Sequence, residues 1–429
     1  MDHVTPYDRF ARQDARIELA LASGAQRDEL RAFFGDQEYR SLSALARRAH
    51  RVGVRPRLPR VLLVPGIMGS QLGVERAAPL PHDIVWLDPL DIHAGRLAAL
   101  RLPGRTRVVP LGVVLFSYLR LKLFLMSRGF AVEAYDYDWR LPVAQLGRQL
   151  AARLYAQRGT RIALVAHSMG GLLVRAALAQ PGTAHVRRAV LLGTPHLGSF
   201  AAVQALRGTY AVVRKVARLD ARASAESLAS QVFSGFPSLY DLLPGEPSGA
   251  ASLLQLRGWP RRGPRPRASL LRATRRDREQ LGALDERYAL IAGVGQETVT
   301  GLQRRGAEFV YTLTRHGDGT VPVASAAPAG ARSLYAAVAH SDLTRDPVVA
   351  AAIVDLLLRG SSTRLPDTWK SRDRAQVRVS DSQLRRTHVG KVDWPALEPE
   401  ERRLFLENLN EPPHLKLRLP ARPRSGRSR

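Results

Sequence analysis

A serine lies within a short glycine-rich turn, residues 165–171 (VAHSMGG). An apolar run precedes this turn and a helical pattern follows it, which is the strand–turn–helix setting of a nucleophile elbow. So tight a turn needs small residues two positions before and two positions after the serine. Ala166 and Gly170 meet that need, although alanine stands where glycine is usual. We therefore predict that Ser168 is a nucleophile; the alternative is a structural turn with an incidental serine.

A serine hydroxyl needs a neighbouring base to take its proton. After a nucleophile elbow, the acid and then the histidine follow along the chain. His340 fits this order because it follows the last predicted strand and precedes the last predicted helix; the alternative is a surface-loop histidine. Other histidines after the serine come too early (His185, His196) or lie in the basic C-terminal stretch (His388, His414).

The acid that orients this histidine is expected on a loop after a strand. Asp318 lies in residues 317–322 (GDGTVP), where two glycines permit a tight turn that directs the carboxylate inward. Such a carboxylate would hold the His340 tautomer and stabilise the imidazolium. Asp342 is too close in sequence to His340 to orient it easily. The alternative for Asp318 is an ordinary Asp-Gly turn.

Two backbone N–H groups are candidates for stabilising the negative charge that develops during acyl transfer. The Met169 N–H lies at the start of the helix that follows Ser168. The second donor is expected from residues 65–70 (PGIMGS), where glycines let the backbone approach a substrate. We predict that the Ile67 N–H is this donor; the alternative is a purely structural loop.

These residues lie within an alternation of strand and helix patterns. Apolar runs predict strands at 60–65, 131–135, 161–166, 186–192, 288–294, 309–313 and 333–338. Helical patterns are predicted at 111–126, 143–157, 172–180 and 347–358. The alternation predicts an α/β fold with a mostly parallel, doubly wound sheet and helices on both faces.

We assign the core to residues 58–360. One further region is inserted within it, and two others extend it at its N- and C-terminal sides. Residues 1–57 are predicted to be a helical N-terminal extension. Residues 199–285 lose the alternation and are predicted to be a helical cap, which would form an acyl groove together with residues 73–110 (Trp86, Leu87, Leu90, Ile92). Residues 361–429 are polar and basic, and we expect this C-terminal extension to be partly disordered.

The chain is strongly basic, with 65 Lys+Arg against 38 Asp+Glu and a net charge of +27. Arginine-rich coding bias explains this charge, but attraction to anionic membranes is a second interpretation. The arginines that would act there cluster in two segments (Arg261, Arg262, Arg265, Arg267; Arg422, Arg424, Arg427, Arg429). Nucleic-acid binding is not expected, because no recognisable binding module accompanies the charge.

The sequence has no cysteine, which excludes disulfides, cysteine nucleophiles and thiolate metal sites. Neither an apolar signal-peptide stretch nor a transmembrane run is seen, so we expect a cytoplasmic protein, in peripheral contact with membranes if the charge serves that purpose.

Six segments in order resemble the lecithin:cholesterol acyltransferase family of lipases and acyltransferases. They are VPGIMGSQL (64–72), YDYDWR (135–140), AHSMGG (166–171), GTPHLGS (193–199), FPSLYDLLP (236–244) and GDGTVP (317–322). The resemblance implies an α/β-hydrolase with a cap that acts on lipid esters through an acyl-enzyme. It also implies Ser168, Asp318 and His340 as the triad, with the Ile67 and Met169 amides as the oxyanion hole. Extracellular animal members carry disulfides and a signal peptide, and this chain has neither.

Within the second of these segments, we expect Asp138 and Arg140 to pair and to have a structural role near the site.

The sequence therefore predicts a serine-dependent lipid-ester hydrolase or O-acyltransferase that needs no metal or cofactor. One alternative is a small-ester or acyl-peptide hydrolase on the same core. Another, from a different class, is a basic membrane- or nucleic-acid-binding protein with an inactive hydrolase core. The intact order of serine, acid and histidine argues against the latter.

Overall fold

The apolar runs of the sequence form the strands of a central sheet. A computed structural model describes residues 4–245 and 251–409, apart from 372, 374, 388 and 408. The strands of this sheet are β1 (Arg60–Val64), β5 (Val132–Ala134), β6 (Ile162–His167), β7 (Arg188–Leu192), β8 (Tyr288–Gly293) and β11 (Ser333–Ala336). Their spatial order is β11-β8-β7-β6-β1-β5, and every neighbouring pair is parallel.

Helices cover both faces of this sheet. They are α5 (Leu115–Met126), α6 (Val143–Ala156), α7 (Met169–Leu178) and α14 (Pro347–Arg359). Alternate residues of β1 point to opposite faces: Leu62 shares a buried cluster with α6 and α7, whereas Leu63 shares one with α5 and α14. All six residues of β6 are buried, as expected for a strand covered on both sides. The predicted doubly wound α/β fold is therefore confirmed.

Two small antiparallel sheets lie beside the central one. The first contains β2 (Ser70–Val74), β3 (Asp83–Trp86) and β4 (Val109–Val113) in the order β3-β2-β4. The second contains β9 (Thr298–Arg305), β10 (Glu308–Thr314) and β12 (Val377–Ser380) in the order β12-β10-β9. The strand predicted at 309–313 thus forms, but outside the central sheet. Its alternating burial fits a strand with one covered face.

Helices dominate the remaining segments. At the N-terminus are α1 (Asp14–Ser23), α2 (Arg27–Phe34) and α3 (Asp36–Val52), which pack against α5 through a shared apolar cluster. A short helix, α4 (Pro89–His93), follows β3. Between β7 and β8 lie α8 (Phe200–Arg207), α9 (Ala211–Leu219), α10 (Ala225–Gln231), α11 (Pro237–Asp241) and α12 (Ala268–Glu279). This last group occupies the region where the sequence predicts a helical cap.

Much of the C-terminal extension packs against the rest of the protein. Besides β12, it contains α15 (Asp381–Arg385) and α16 (Pro399–Glu407); α13 (Val323–Ala326) precedes it within the core. Arg207 of α8 pairs with Asp381 at 2.8 Å between Nη2 and Oδ2, and both side chains are fully buried. Tyr311 also donates its hydroxyl to Asp381. We infer that this buried pair anchors the extension to the cap and to β10.

Only the first of the two arginine clusters lies within the described residues. Arg261 and Arg262 are exposed, whereas Arg265 and Arg267 are partly buried and donate to backbone carbonyls. The second cluster lies outside the described residues (Arg422, Arg424, Arg427, Arg429). Contact with anionic membranes stays a prediction. Among the helices of the described segments, none combines the length and apolar character that crossing a bilayer requires.

Candidate active site

Ser168 occupies the sharp turn between β6 and α7. Its backbone has φ +54° and ψ −128°, a conformation that L-residues rarely adopt and that is held by its surroundings. The Ser168 N–H donates to the Leu192 carbonyl at 2.8 Å. A Cβ atom at Gly170 would lie 2.4 Å from the Pro65 carbonyl oxygen, so only glycine fits there. The geometry is that of a nucleophile elbow.

The three residues predicted as a triad are linked through His340, which is within hydrogen-bond distance of the other two. His340 Nε2 is 2.9 Å from Ser168 Oγ, and His340 Nδ1 is 2.7 Å from Asp318 Oδ2. A carboxylate only accepts hydrogen bonds, so Nδ1 carries the ring proton and Nε2 accepts from the serine hydroxyl. Asp318 Oδ1 accepts from the backbone N–H groups of Thr320 and Val321, at 3.0 and 2.7 Å. Both carboxylate oxygens are therefore satisfied at a buried position.

Asp318 reaches the site after a detour of the chain. The β9–β10 hairpin separates β8 from this residue, and the chain returns where the Gln296 N–H donates to the Gly317 carbonyl at 2.9 Å. A Cβ atom at Gly193, where φ is +55°, would lie 3.0 Å from His340 Nδ1 and 3.1 Å from Asp318 Oδ2. Gly193 therefore leaves room for the acid–histidine pair. Gly193 belongs to the GTPHLGS segment (193–199), but the sequence alone does not predict that it makes room for this pair.

The two residues predicted to supply the oxyanion donors both lie close to Ser168. Ile67, in the loop after β1, and Ser168 line one cavity, and Met169 begins the next helix. A Cβ atom at Gly66 would lie 2.8 Å from Ser168 Cβ, so the loop passes very close to the nucleophile. Within the described part of the chain, neither the Ile67 nor the Met169 N–H donates to another protein group. No described protein acceptor therefore competes for either amide, and their function as an oxyanion hole stays a prediction.

A hydrogen-bonded chain that the sequence does not predict connects the loop after β1 to the backbone carbonyl of His340. The Gly66 N–H donates to Tyr118 Oη at 2.8 Å, and Tyr118 Oη is 3.0 Å from His167 Nδ1. His167 Nε2 lies 3.0 Å from the His340 carbonyl, which only accepts, so Nε2 is the protonated nitrogen. Burial and the neighbouring His340 lower the pKa of His167 to about 3, so the ring is neutral. The one available signal was a histidine directly before the nucleophile.

An apolar cavity opens in front of Ser168 and His340. It encloses about 1320 Å³, its solvent-open mouth included. Its walls come from the loop after β1, from α5, from the cap helices and from the C-terminal extension (Met68, Phe116, Ala202, Leu239, Leu406, Leu409). Among the four residues proposed from 73–110, Trp86 and Leu87 line this cavity, whereas Leu90 lines an adjoining one and Ile92 is packed in the core.

The groups around Ser168 indicate which chemistry the cavity could support. Across residues 4–245 and the described part of 251–409, no group of three or more His, Asp or Glu side chains is arranged to share a metal ion. The groups close to Ser168 are one imidazole, one carboxylate and the two backbone amides that are predicted as oxyanion donors. Such a set suits acyl transfer through a serine.

Asp138 and Arg140 form an ion pair in the connection between β5 and α6. Arg140 donates from Nε and Nη2 to the two carboxylate oxygens of Asp138, at 2.8 and 2.7 Å. Its Nη1 also donates to the Leu100 carbonyl at 2.9 Å. Arg140 is buried, with 3% of its side chain exposed. We propose that this pair stabilises the fold by tying the segment before β4 to the central sheet.

We expect Asp138→Ala to lower the free energy of unfolding by about 3 kcal/mol, because a buried guanidinium would lose its counter-ion. The chain offers a matched control in Asp285 and Arg287, which form the same Asp-x-Arg arrangement at a more exposed position. Asp285→Ala should lower stability by at most about 1 kcal/mol. Denaturant unfolding of both variants measures the difference; equal stability losses would contradict the proposed function of the buried pair.

Comparisons with known proteins bear on the predicted family and fold. The family model for lecithin:cholesterol acyltransferase matches residues 124–260, less than half of the chain. Among curated proteins, none matches the sequence significantly. A chain from the crystal structure of the Tle4-Tli4 complex superposes with a TM-score of 0.45 and 15% identity, covering 71% of this chain and 98% of that chain. Mature Bacillus licheniformis lipase BlEst2 superposes with a TM-score of 0.36 and 16% identity, covering 71% and 94%.

The stretch matched by the family model contains four of the six segments quoted above, including the one around Ser168. Asp318, His340 and Ile67 lie beyond it. The resemblance of this chain to the lecithin:cholesterol acyltransferase family is therefore confirmed over residues 124–260.

Proposed function

We propose that this protein is a serine-dependent hydrolase or O-acyltransferase of lipid esters, with Ser168, His340 and Asp318 as its catalytic triad. The observation that carries the proposal is the continuous hydrogen-bonded chain from Ser168 Oγ through the His340 ring to Asp318. The family match supports an acyl-ester hydrolase or acyltransferase. The apolar walls of the cavity favour a substrate with a hydrocarbon chain.

In the first half of the reaction, Ser168 Oγ attacks the carbonyl carbon of the ester while His340 Nε2 takes its proton. The carbonyl π electrons move to oxygen, and the resulting oxyanion accepts hydrogen bonds from the Ile67 and Met169 amides. Asp318 stabilises the imidazolium without itself becoming protonated. Collapse of the tetrahedral intermediate breaks the ester C–O bond, and His340 gives its proton to the leaving alcohol. The product is an acyl-enzyme.

The second half repeats these steps with a new nucleophile. Water or an acceptor alcohol gives its proton to His340 Nε2 and attacks the acyl-enzyme carbonyl, and Ser168 leaves as the free hydroxyl. Water yields a fatty acid, whereas an alcohol yields a new ester. The two activities share every protein group named here, so they differ only in the acceptor admitted to the cavity.

The hydrolysis of p-nitrophenyl esters of increasing acyl length tests the proposal. We expect release of p-nitrophenol by the purified full chain, with kcat/KM rising from butyrate toward the longer acyl esters, because a longer chain buries more apolar surface. Preference for the shortest esters would favour the alternative of a small-ester hydrolase. The absence of hydrolysis with every ester, together with no release of fatty acid from phospholipid vesicles, would contradict the proposal.

A further inference from the structure

Two smaller cavities adjoin the cavity that contains Ser168. Phe116 of α5 and Leu406 of α16 line all three spaces. These two side chains therefore form the junction at which the catalytic cavity and both smaller cavities adjoin, and we call the two smaller cavities together the passage.

The walls of the passage are largely aromatic. Tyr7, Phe10 and Phe33 line both of the smaller cavities. The ring of Phe33 stacks on that of Phe116 with a centroid distance of 4.6 Å and lies 4.2 Å from that of Phe10. Close-packed rings of this kind offer continuous apolar surface to a chain of methylene groups. The passage therefore suits hydrocarbon rather than a polar ligand.

One of the two smaller cavities also has charged walls. Arg9, Glu29 and Arg402 line it, and Arg9 pairs with Glu29 at 3.1 Å between Nη1 and Oε2, where both side chains are about half exposed. The other smaller cavity has no charged residue among those that line it. A ligand that fits this profile has its reacting ester at Ser168 and its apolar tail in the aromatic section.

We propose that the acyl chain of the substrate runs from Ser168 past Phe116 and Leu406 into the adjoining cavities, so that the N- and C-terminal extensions select long acyl groups. This inference rests on the proposed esterase function. Two of the helices that line the passage, α2 and α16, lie outside residues 124–260, the stretch that the family model matches. The competing route is along the cap, past Ala201 and Val212.

Blocking the junction with Leu406→Trp tests the route, because an indole would fill the space that the chain needs. We expect kcat/KM for p-nitrophenyl palmitate to fall at least about tenfold and kcat/KM for p-nitrophenyl butyrate to change by less than about twofold. Ala32→Trp, in the smaller cavity that Arg9 and Glu29 line, should lower only the turnover of esters with the longest acyl chains. Ala201→Trp is the matched control on the cap side, and it should not change the ratio of the two rates in this way.

Melting temperatures verify that each variant is folded, and Leu406→Phe replaces Leu406→Trp if the indole is not tolerated. Suppose that the wild type hydrolyses these esters, that Ala201→Trp removes the turnover of long-chain esters and that the Leu406 variant does not. The acyl chain would then follow the cap, and the proposed route through the passage would be wrong. Unchanged ratios in both the Leu406 and Ala32 variants would also overturn it. Failure of the wild type on every ester would instead defeat the proposed function itself.

Discussion

Ser168→Ala is expected to lower ester hydrolysis at least about 10³-fold while leaving the fold intact, because no other group can supply the nucleophile. The His340 ring would keep its bond to Asp318, and only the 2.9 Å contact to the serine hydroxyl would be lost. Initial rates with a p-nitrophenyl ester, together with the melting temperature, measure both effects. Ser341 lines the same cavity, so Ser341→Ala is a matched control that should retain most of the activity.

Retention of more than a tenth of the wild-type turnover in pure Ser168→Ala protein would contradict the assignment of the nucleophile. A comparable loss in the Ser341→Ala variant would show that the cavity, rather than the hydroxyl of Ser168, is what the substitutions disturb.

Asp318→Asn is expected to lower turnover by about 10³- to 10⁴-fold with little loss of stability. The reason lies in the environment of the carboxylate. Oδ1 accepts two backbone N–H groups, so an asparagine would keep its oxygen there and turn its NH₂ group toward His340 Nδ1. Nδ1 would then have to accept, which moves the ring proton to Nε2. A protonated Nε2 cannot take the proton of Ser168.

Asp342→Asn provides the control for this prediction, because Asp342 is exposed and only two residues from His340. It should change turnover by less than about twofold, since the geometry gives the orienting position to Asp318. Similar losses in the two variants, measured as kcat on the same ester, would mean that the carboxylate of Asp318 does not have the function proposed for it.

Four of the strands that were predicted correctly, β1, β6, β7 and β8, are buried along nearly their whole length. β6 and β7 therefore consist of continuous apolar runs, which the sequence displays directly. β2, β4 and β9 belong to the two small antiparallel sheets and have mixed composition, interrupted by residues such as Gly73 and Pro110. They therefore lack the continuous apolar runs that indicate a buried strand in the sequence.

The candidate site likewise contains residues that the sequence predicts and residues that it does not. Ser168, Asp318 and His340 could be predicted because their order along the chain and the turns around them are local features. The contact between Tyr118 and His167 joins residues 49 positions apart and follows only from the packing of α5 on the sheet. Leu406 likewise reaches the cavity because the C-terminal extension, read from its composition as polar and basic, places α16 against α2.

The central claim is that Ser168 is an activated nucleophile. A fluorophosphonate probe phosphonylates a serine only where a base has activated it, so peptide mapping by mass spectrometry after labelling tests the claim most directly. The account predicts a single phosphonylated peptide that contains Ser168, with labelling abolished in Ser168→Ala and strongly reduced in Asp318→Asn. Labelling of another serine, or no labelling of folded wild-type protein, would contradict it.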